Sequence, residues 1–122
     1  TQGGPCVRAA DVTAQREHTA AALFALIDVN VPNAKNVNAI LETLSYSKKP
    51  EYKAAAQKLC AAYSQKLKSL GGKALAAART EIVGTIQSFY VLIRNQVVTR
   101  DEFALFATLE GICARNKWGY RK

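Results

Sequence analysis

Residues 73–98 read KALAAARTEIVGTIQSFYVLIRNQVV, and this stretch decides the fold class of the chain. Its apolar residues recur at steps of three and four, at Leu75, Ala78, Ile82, Ile86, Phe89, Ile93 and Val97. This spacing predicts one long helix with a single apolar side, which Val83, Tyr90 and Leu92 widen. A helix of this length and character needs several neighbouring helices to cover it. The stretch contains no catalytic or ligand-binding motif.

The segments before it show the same helical period. A first helix is predicted from Asp11 or Thr13 to about Asp28, a second from Pro32 or Asn33 to Leu44, and a third from Pro50 to Leu70. Gly71 and Gly72 end the third helix, because glycine accepts the left-handed conformation with which helices often finish. Since the long helix follows at once, the two are expected to form an antiparallel hairpin.

A capping box marks the last predicted helix. Thr99 and Glu102 have the Thr-x-x-Glu spacing in which each side chain bonds to the other residue's backbone N–H. A fifth helix is predicted from there to about Asn116, with apolar residues over roughly half of its circumference. The predicted fold is therefore all-α, a four- to five-helix up-and-down bundle. It comprises an extended lead-in (1–10), one helical domain (11–116) and a basic aromatic tail (117–122).

Composition and charge narrow the classes of function. The chain has 122 residues, 49% of them hydrophobic and 21% charged, which suits one folded domain. Its net charge of +8 favours an acidic protein surface, nucleic acid or anionic lipid as partner. No apolar run approaches the roughly 20 residues of a membrane-spanning helix. The chain begins at Thr1 and contains no Met, which fits either a processed mature protein or an excised fragment.

Three cysteines and one histidine are the only candidates for metal or thiol chemistry. Cys6, Cys60, Cys113 and His18 would form a Cys₃His set, but the closely spaced ligand pairs of structural zinc sites are missing. A disulfide is the favoured interpretation, with Cys6–Cys113 slightly ahead of Cys6–Cys60, whereas in the cytosol all three would be reduced. Nothing places a cysteine beside His18 for catalysis. The chain is therefore expected to be no enzyme and to hold no cofactor or metal.

Basic residues carry the functional hypothesis. Between Lys48 and Lys73 there are seven lysines and one acid, and the tail is basic beyond Glu110. The predicted docking residues are Lys48, Lys49, Lys53, Lys58, Lys66, Lys68, Lys73, Arg115, Lys117, Trp118, Tyr120, Arg121 and Lys122. The alternative is a solvated outer face, with the two tail aromatics folded back over the helix ends. The lysines of the third predicted helix spread around its polar arc rather than along one stripe, which disfavours nucleic acid.

Three features of the sequence together give a recognisable profile. They are the alanine-rich helices at 10–28 and 73–98, the lysine-rich stretch 48–73 and the missing Met. In architecture and charge this profile resembles the PsbQ-like group of extrinsic helical-bundle proteins of photosystem II. The resemblance implies a basic, processed, all-α protein that docks on the lumenal side of the photosystem and helps to retain calcium and chloride. It covers the helical region, rests on no motif and transfers no site residue.

The expected function is thus non-catalytic docking onto a larger, acidic, membrane-associated assembly, with the thylakoid lumen as the implied compartment. A cytoplasmic location is expected instead if the missing Met reflects trimming during cloning. The alternative function is a small nucleic-acid-binding helical protein of viral or chromosomal type. No small-molecule substrate is expected.

Overall fold

The protein is all-α. A computed structural model describes residues 9–120, with side chains from residue 11, and within that range there is no strand. The helices are α1 (Ala9–Ala25), α2 (Ala34–Tyr46), α3 (Pro50–Lys68), α4 (Gly72–Ala77), α5 (Arg79–Arg94) and α6 (Ala104–Asn116), with a single 3₁₀ turn at Arg100–Glu102 before α6. None of these helices is long and apolar enough to cross a membrane.

The core lies among four helices that contact one another in a ring. α2 packs against α3 and α5, and α6 packs against the same two helices from the other side, while α1 packs against α2. α2 begins directly after Asn33. The Asn33 side-chain oxygen accepts a hydrogen bond from the Asn36 N–H at 2.8 Å and so caps the helix. The largest fully buried side chain is Phe89 of α5, which contacts the rings of Phe103 and Phe106.

The prediction of one continuous helix over 73–98 is wrong. The segment divides at Ala78, which has ψ near 1°, into the short α4 and the longer α5. α4 buries no residue, so little packing holds it in line with α5. α5 ends at Arg94, and Gln96 follows with a φ of 61°, so Val97 and Val98 lie in a loop. The predicted apolar side is nevertheless present, because Ile82, Ile86 and Phe89 are all buried.

The hairpin expected between the third helix and the long helix does not form. The chain passes from α3 through Gly72, with a φ of 55°, and through α4, and α5 then packs between α2 and α6. The helical period predicted for the third helix is confirmed, because Tyr52, Ala56, Leu59, Tyr63 and Leu67 are all buried. α3 ends at Lys68, before the glycine pair, and Gly72 is the first residue of α4, so the glycines do not mark the end of α3. The direction in which the chain leaves is decided by the neighbour that buries the next apolar side.

The capping box is confirmed, although it starts a shorter element than expected. The Thr99 N–H donates to the Glu102 carboxylate, and the residues between them form the 3₁₀ turn. Phe103 is extended and buried, so α6 begins one residue later at Ala104. α6 ends at Asn116 as predicted, where Lys117 takes a left-handed conformation and the Trp118 N–H bonds to the Cys113 carbonyl at 2.9 Å.

Contacts between helix ends show which helix termini lie at the same end of the molecule. Ala34 of α2, Leu70 beyond the end of α3, and Ala78 before α5 line a common cleft. The Arg79 guanidinium carbon lies 5.7 Å from the centre of the Trp118 ring, which brings the end of α6 to the same place. One end of the molecule therefore holds the N-termini of α2 and α5 together with the C-termini of α3 and α6.

Candidate docking surface

The predicted docking lysines divide into two groups at the two ends of α3. About 20 Å of helix separates Lys53 from Lys66 at the rise of an α-helix. The group at the start of α3 is Lys48, Lys49 and Lys53. The group at its end, with α4, is Lys66, Lys68 and Lys73. Lys58 lies between them, with its ammonium 3.5 Å from the Asn30 side-chain oxygen.

The first group is largely neutralised within the protein. Lys53 donates to the Glu102 carboxylate at 2.7 Å, and this contact lowers the pKa of Glu102, with help from the Thr99 N–H. The Lys49 ammonium lies 3.8 Å from the Glu17 carboxylate. Glu17 also accepts a hydrogen bond from Ser47 at 2.7 Å. These contacts tie the start of α3 to α1 and to the 3₁₀ turn, so two of the three lysines already have acidic partners.

The second group has no such partners. Lys66, Lys68 and Lys73 are exposed, and none of them makes an ion pair with any residue in the range 11–120. Lys66 and Lys68 lie in the last turn of α3, where a positive charge also stabilises the helix dipole. That stabilisation leaves the ammonium groups in solvent and available to an external acid.

Further basic residues join this second group because four helix ends meet there. This end, named the basic end below, carries Lys35, Lys66, Lys68, Lys73, Arg79, Arg115 and Lys117, and also the acid Glu81. The ion pairs found in the described residues, from Glu17, Glu102 and Glu110, all lie elsewhere. The asymmetry could not be read from the sequence, since it requires knowing that α2 and α5 begin where α3 and α6 end.

The aromatic tail packs on the protein. The ring of Tyr120 stacks on Tyr90 with centroids 5.5 Å apart and planes at 16°, and its carbonyl accepts a hydrogen bond from Gln87 at 3.1 Å. Trp118 is half-buried beneath Arg79. Of the two alternatives for these aromatics, folding back over the helices is the one seen. Arg121 and Lys122 lie outside the described residues, so their part in docking stays a prediction.

The cysteines are buried thiols where the structure describes them. Burial raises the pKa of Cys60 to about 12 and also raises the pKa of Cys113, so both stay protonated at neutral pH. Cys6 lies outside the described residues, so the Cys6–Cys113 and Cys6–Cys60 pairings stay predictions. His18 is exposed on α1. Among the side chains of residues 11–120, no three His, Cys, Asp or Glu residues stand together as a metal site would need.

Comparison with protein-family models, with curated proteins and with solved structures gives no match to this chain.

Proposed function

We propose that this protein is a non-catalytic subunit that docks through its basic end onto an acidic surface of a larger protein assembly. The proposal rests on the charge asymmetry: two of the three lysines at the start of α3 are paired internally, whereas those at its end are unpaired and exposed. Unpaired charges on a partner-facing surface raise the association rate and set orientation. The proposed architecture is an up-and-down helical bundle, which the packing of α2, α3, α5 and α6 around one core supports.

The resemblance to the PsbQ-like group gives this proposal its sharpest form. In that form the partner is the lumenal face of photosystem II, and the protein is a processed, extrinsic subunit that stabilises oxygen evolution. The all-α fold and the net charge of +8 are compatible with it. The test is rebinding of the purified protein to photosystem II membranes stripped by a salt wash. Saturable, salt-sensitive binding is expected, and absence of binding would remove the photosystem from the proposal while leaving the basic end to be tested.

The general proposal is tested by reversing charges at each end separately. Lys68→Glu/Lys73→Glu removes exposed charge from the basic end, and Lys48→Glu/Arg94→Glu makes the same net change at exposed, unpaired positions elsewhere. Each chain is used as bait in a nuclease-treated extract of the native source, at low and high salt. The basic-end variant is expected to lose the recovered protein complex, and the control is expected to keep it.

Two outcomes contradict the docking proposal. Equal loss in both variants would show that net charge, and not the basic end, governs binding. Recovery of nucleic acid alone, or of proteins only when nuclease is omitted, would favour the nucleic-acid alternative. In that case the logarithm of the binding constant should fall linearly with the logarithm of salt concentration, by about the number of phosphates neutralised.

A further inference from the structure

α1 lies outside the ring of four core helices. It packs against α2, and from residue 11 onward Ala20 is its one fully buried residue. By contrast, α2, α3, α5 and α6 each bury at least five residues. Because those four helices contact one another directly, most of the core does not involve α1. Such a peripheral helix can leave its place while the rest of the fold remains.

The contacts of α1 define the surface that it covers, which is named the α1 seat below and includes Ser47, Lys49 and Tyr52. The Phe24 ring lies 4.8 Å from the Tyr52 ring, centre to centre, with the planes at 47°. The Ser47 hydroxyl donates to the Glu17 carboxylate at 2.7 Å, and the Lys49 ammonium lies 3.8 Å from the same carboxylate. These two contacts are about two helical turns apart along α1, so together they fix its register and its direction.

Charge also matches α1 to the rest of the protein. Residues 11–33 carry three acidic side chains and one basic one, whereas residues 34–120 carry 13 basic side chains and six acidic ones. The attraction between an acidic helix and a basic body is the same whichever chain supplies the helix, because it depends on charge and distance alone. A second copy of this chain offers both the α1 sequence and an identical seat.

The linker after α1 (residues 26–33) carries exposed apolar side chains. Among the described residues the exposed large apolar side chains are Val12, Leu26, Val31 and Val91, and two of these four lie in the linker. Leu26 is 83% exposed and Val31 is 41% exposed. Within one chain both side chains stay in water, whereas a second linker running alongside would cover them and gain stability from their burial.

The linker is also long enough to reach a neighbouring chain. Within one chain it turns back at Asp28, whose carboxylate accepts from the Asn30 N–H at 2.9 Å and whose carbonyl accepts from the Val31 N–H at 3.1 Å. Fully extended, eight residues span about 26 Å, well beyond the roughly 10 Å between the axes of packed helices. Val31 precedes Pro32, and a residue before proline favours the extended backbone that such a crossing requires.

We propose that this protein forms a dimer by exchanging α1 between two copies. α1 of each copy occupies the α1 seat of the other, so the contacts of Glu17 and Phe24 are kept but now join two chains. The two linkers meet at the twofold axis, where Leu26 and Val31 of one copy pack against those of the other. Each dimer presents two basic ends, which would add avidity to docking. The exchange does not depend on docking, so either can fail without the other.

Two charge reversals test whether α1 is exchanged. Glu17→Lys and Lys49→Glu each place like charges at this contact, in the monomer and in the variant's own dimer. A mixed dimer with exchanged α1 restores opposite charges at both contacts, and a mixed dimer of any other kind does not. The variants, one of them ¹⁵N-labelled, are refolded together under reducing conditions, so that Cys6 cannot link chains. Native mass spectrometry is expected to show about tenfold more mixed dimer than either variant forms alone.

A matched pair of valine variants tests the linker contact. Val31→Ser and Val91→Ser change valines that are 41% and 42% exposed, the first in the linker and the second on α5. Val31→Ser is expected to weaken dimerisation about tenfold, because each dimer loses two apolar side chains, and Val91→Ser is expected to leave it unchanged. Light scattering over a range of protein concentrations measures both, and urea unfolding of the monomers checks that each variant is folded.

Three results would overturn the proposal. The first is a parent protein that stays monomeric at every concentration, including after refolding at high concentration. The second is no excess of mixed dimer from the charge variants, which would show that α1 stays on its own chain. The third is equal weakening by Val31→Ser and Val91→Ser, which would place the contact outside the linker. The docking variant Lys68→Glu/Lys73→Glu changes neither α1 nor its seat and should dimerise like the parent, so failure of docking is distinguishable from failure of the exchange.

Discussion

Tyr63 and Tyr90 are two phenols of the same fold with opposite surroundings. The Tyr90 hydroxyl donates to Glu110 at 3.0 Å, and Arg100 lies over its ring and reaches the same carboxylate at 3.2 Å. The Tyr63 hydroxyl is more deeply buried and has no partner. Burial is the main cause of a raised pKa, to about 12, in both. At Tyr90 hydrogen bonds to Tyr120 and Glu110 add to this shift.

The two tyrosines therefore distinguish two regions of the molecule. Around Tyr90 the hydroxyl is hydrogen-bonded, and around Tyr63 it is not. Around Tyr90, aromatic packing, an ion pair and the folded tail come together, and the Tyr90 hydroxyl has a hydrogen-bond partner. Around Tyr63, charges of both signs and a buried hydroxyl remain unpaired at a cleft. A hydroxyl with a hydrogen-bond partner contributes to stability, whereas a buried hydroxyl without one is a local destabilisation.

The largest effect on the free energy of unfolding is expected from removing the Phe89 side chain from the core. Phe89→Ala should lower the free energy of unfolding by about 3–5 kcal/mol, because Phe89 is fully buried and packs on Phe103 and Phe106 at centroid distances of 5.6 and 5.7 Å. Val91→Ala, on an exposed side of the same helix, should change it by about 0.5 kcal/mol or less. Urea unfolding measures both, and equal losses would show that the packing around Phe89 is not decisive.

Alkaline pH should act on both phenols together. Their folded pKa values of about 12 lie above the ordinary value of 10, so stability is complete below pH 10 and is lost as pH rises towards 12. Ultraviolet titration of the five tyrosines should therefore show a late-ionising fraction. Tyr63→Phe and Tyr90→Phe should each remove one phenol from it, and a single transition near pH 10 in the folded parent would contradict the assignment.

Removing each hydroxyl should give effects of different sign. Tyr90→Phe is expected to lower the free energy of unfolding by about 1 kcal/mol, because Glu110 loses a donor. Tyr63→Phe breaks no hydrogen bond, so it should be neutral or stabilising by about 1 kcal/mol or less. Thermal and urea unfolding of the two matched variants compare them directly. A loss at Tyr63 equal to that at Tyr90 would mean that its hydroxyl is satisfied in solution.

A small effect is expected at the ion pair that joins the start of α3 to the 3₁₀ turn. Lys53 lowers the pKa of Glu102 below its ordinary value of 4.5, so the pair stabilises the fold above that pH and is lost as pH falls through the lowered value. Because both side chains are partly solvated, Glu102→Gln should cost only about 0.5–1 kcal/mol at neutral pH. The difference from the parent protein should vanish under acidic conditions, and a constant difference would assign it to the capping hydrogen bond.

Much of the fold was predictable because local rules governed it. Pro50, the Thr99–Glu102 capping box and the end at Asn116 were predicted from residues within one turn of each boundary. The break at Ala78 was missed because alanine favours a helix, and only the lack of a buried face on α4 distinguishes that segment. The prediction of a hairpin formed by α3 and α5 was wrong, because it assumed that helices close together in the sequence also pack against each other.

The candidate sites were predictable only in composition. The lysine-rich stretch was evident, but its division into a paired and an unpaired group depends on Glu17 and Glu102, which are distant in sequence. Tyr63 lies within the predicted third helix, and it is buried there. That its hydroxyl would lack a partner carried no sequence signal, because the absence is a property of what α2 and α5 place opposite it.

The sequence by itself determined the all-α class, the start of α3, the end of α6, the buried apolar sides and the net charge, because helical period, caps and charge are set by residues close together in the chain. The tertiary structure alone decided which lysines find a carboxylate, that four helix ends share one basic end, and that a cleft with an unpartnered phenol opens there. Those features arise from contacts between α2, α3, α5 and α6, and such contacts depend on how apolar sides are shared among helices rather than on any one helix.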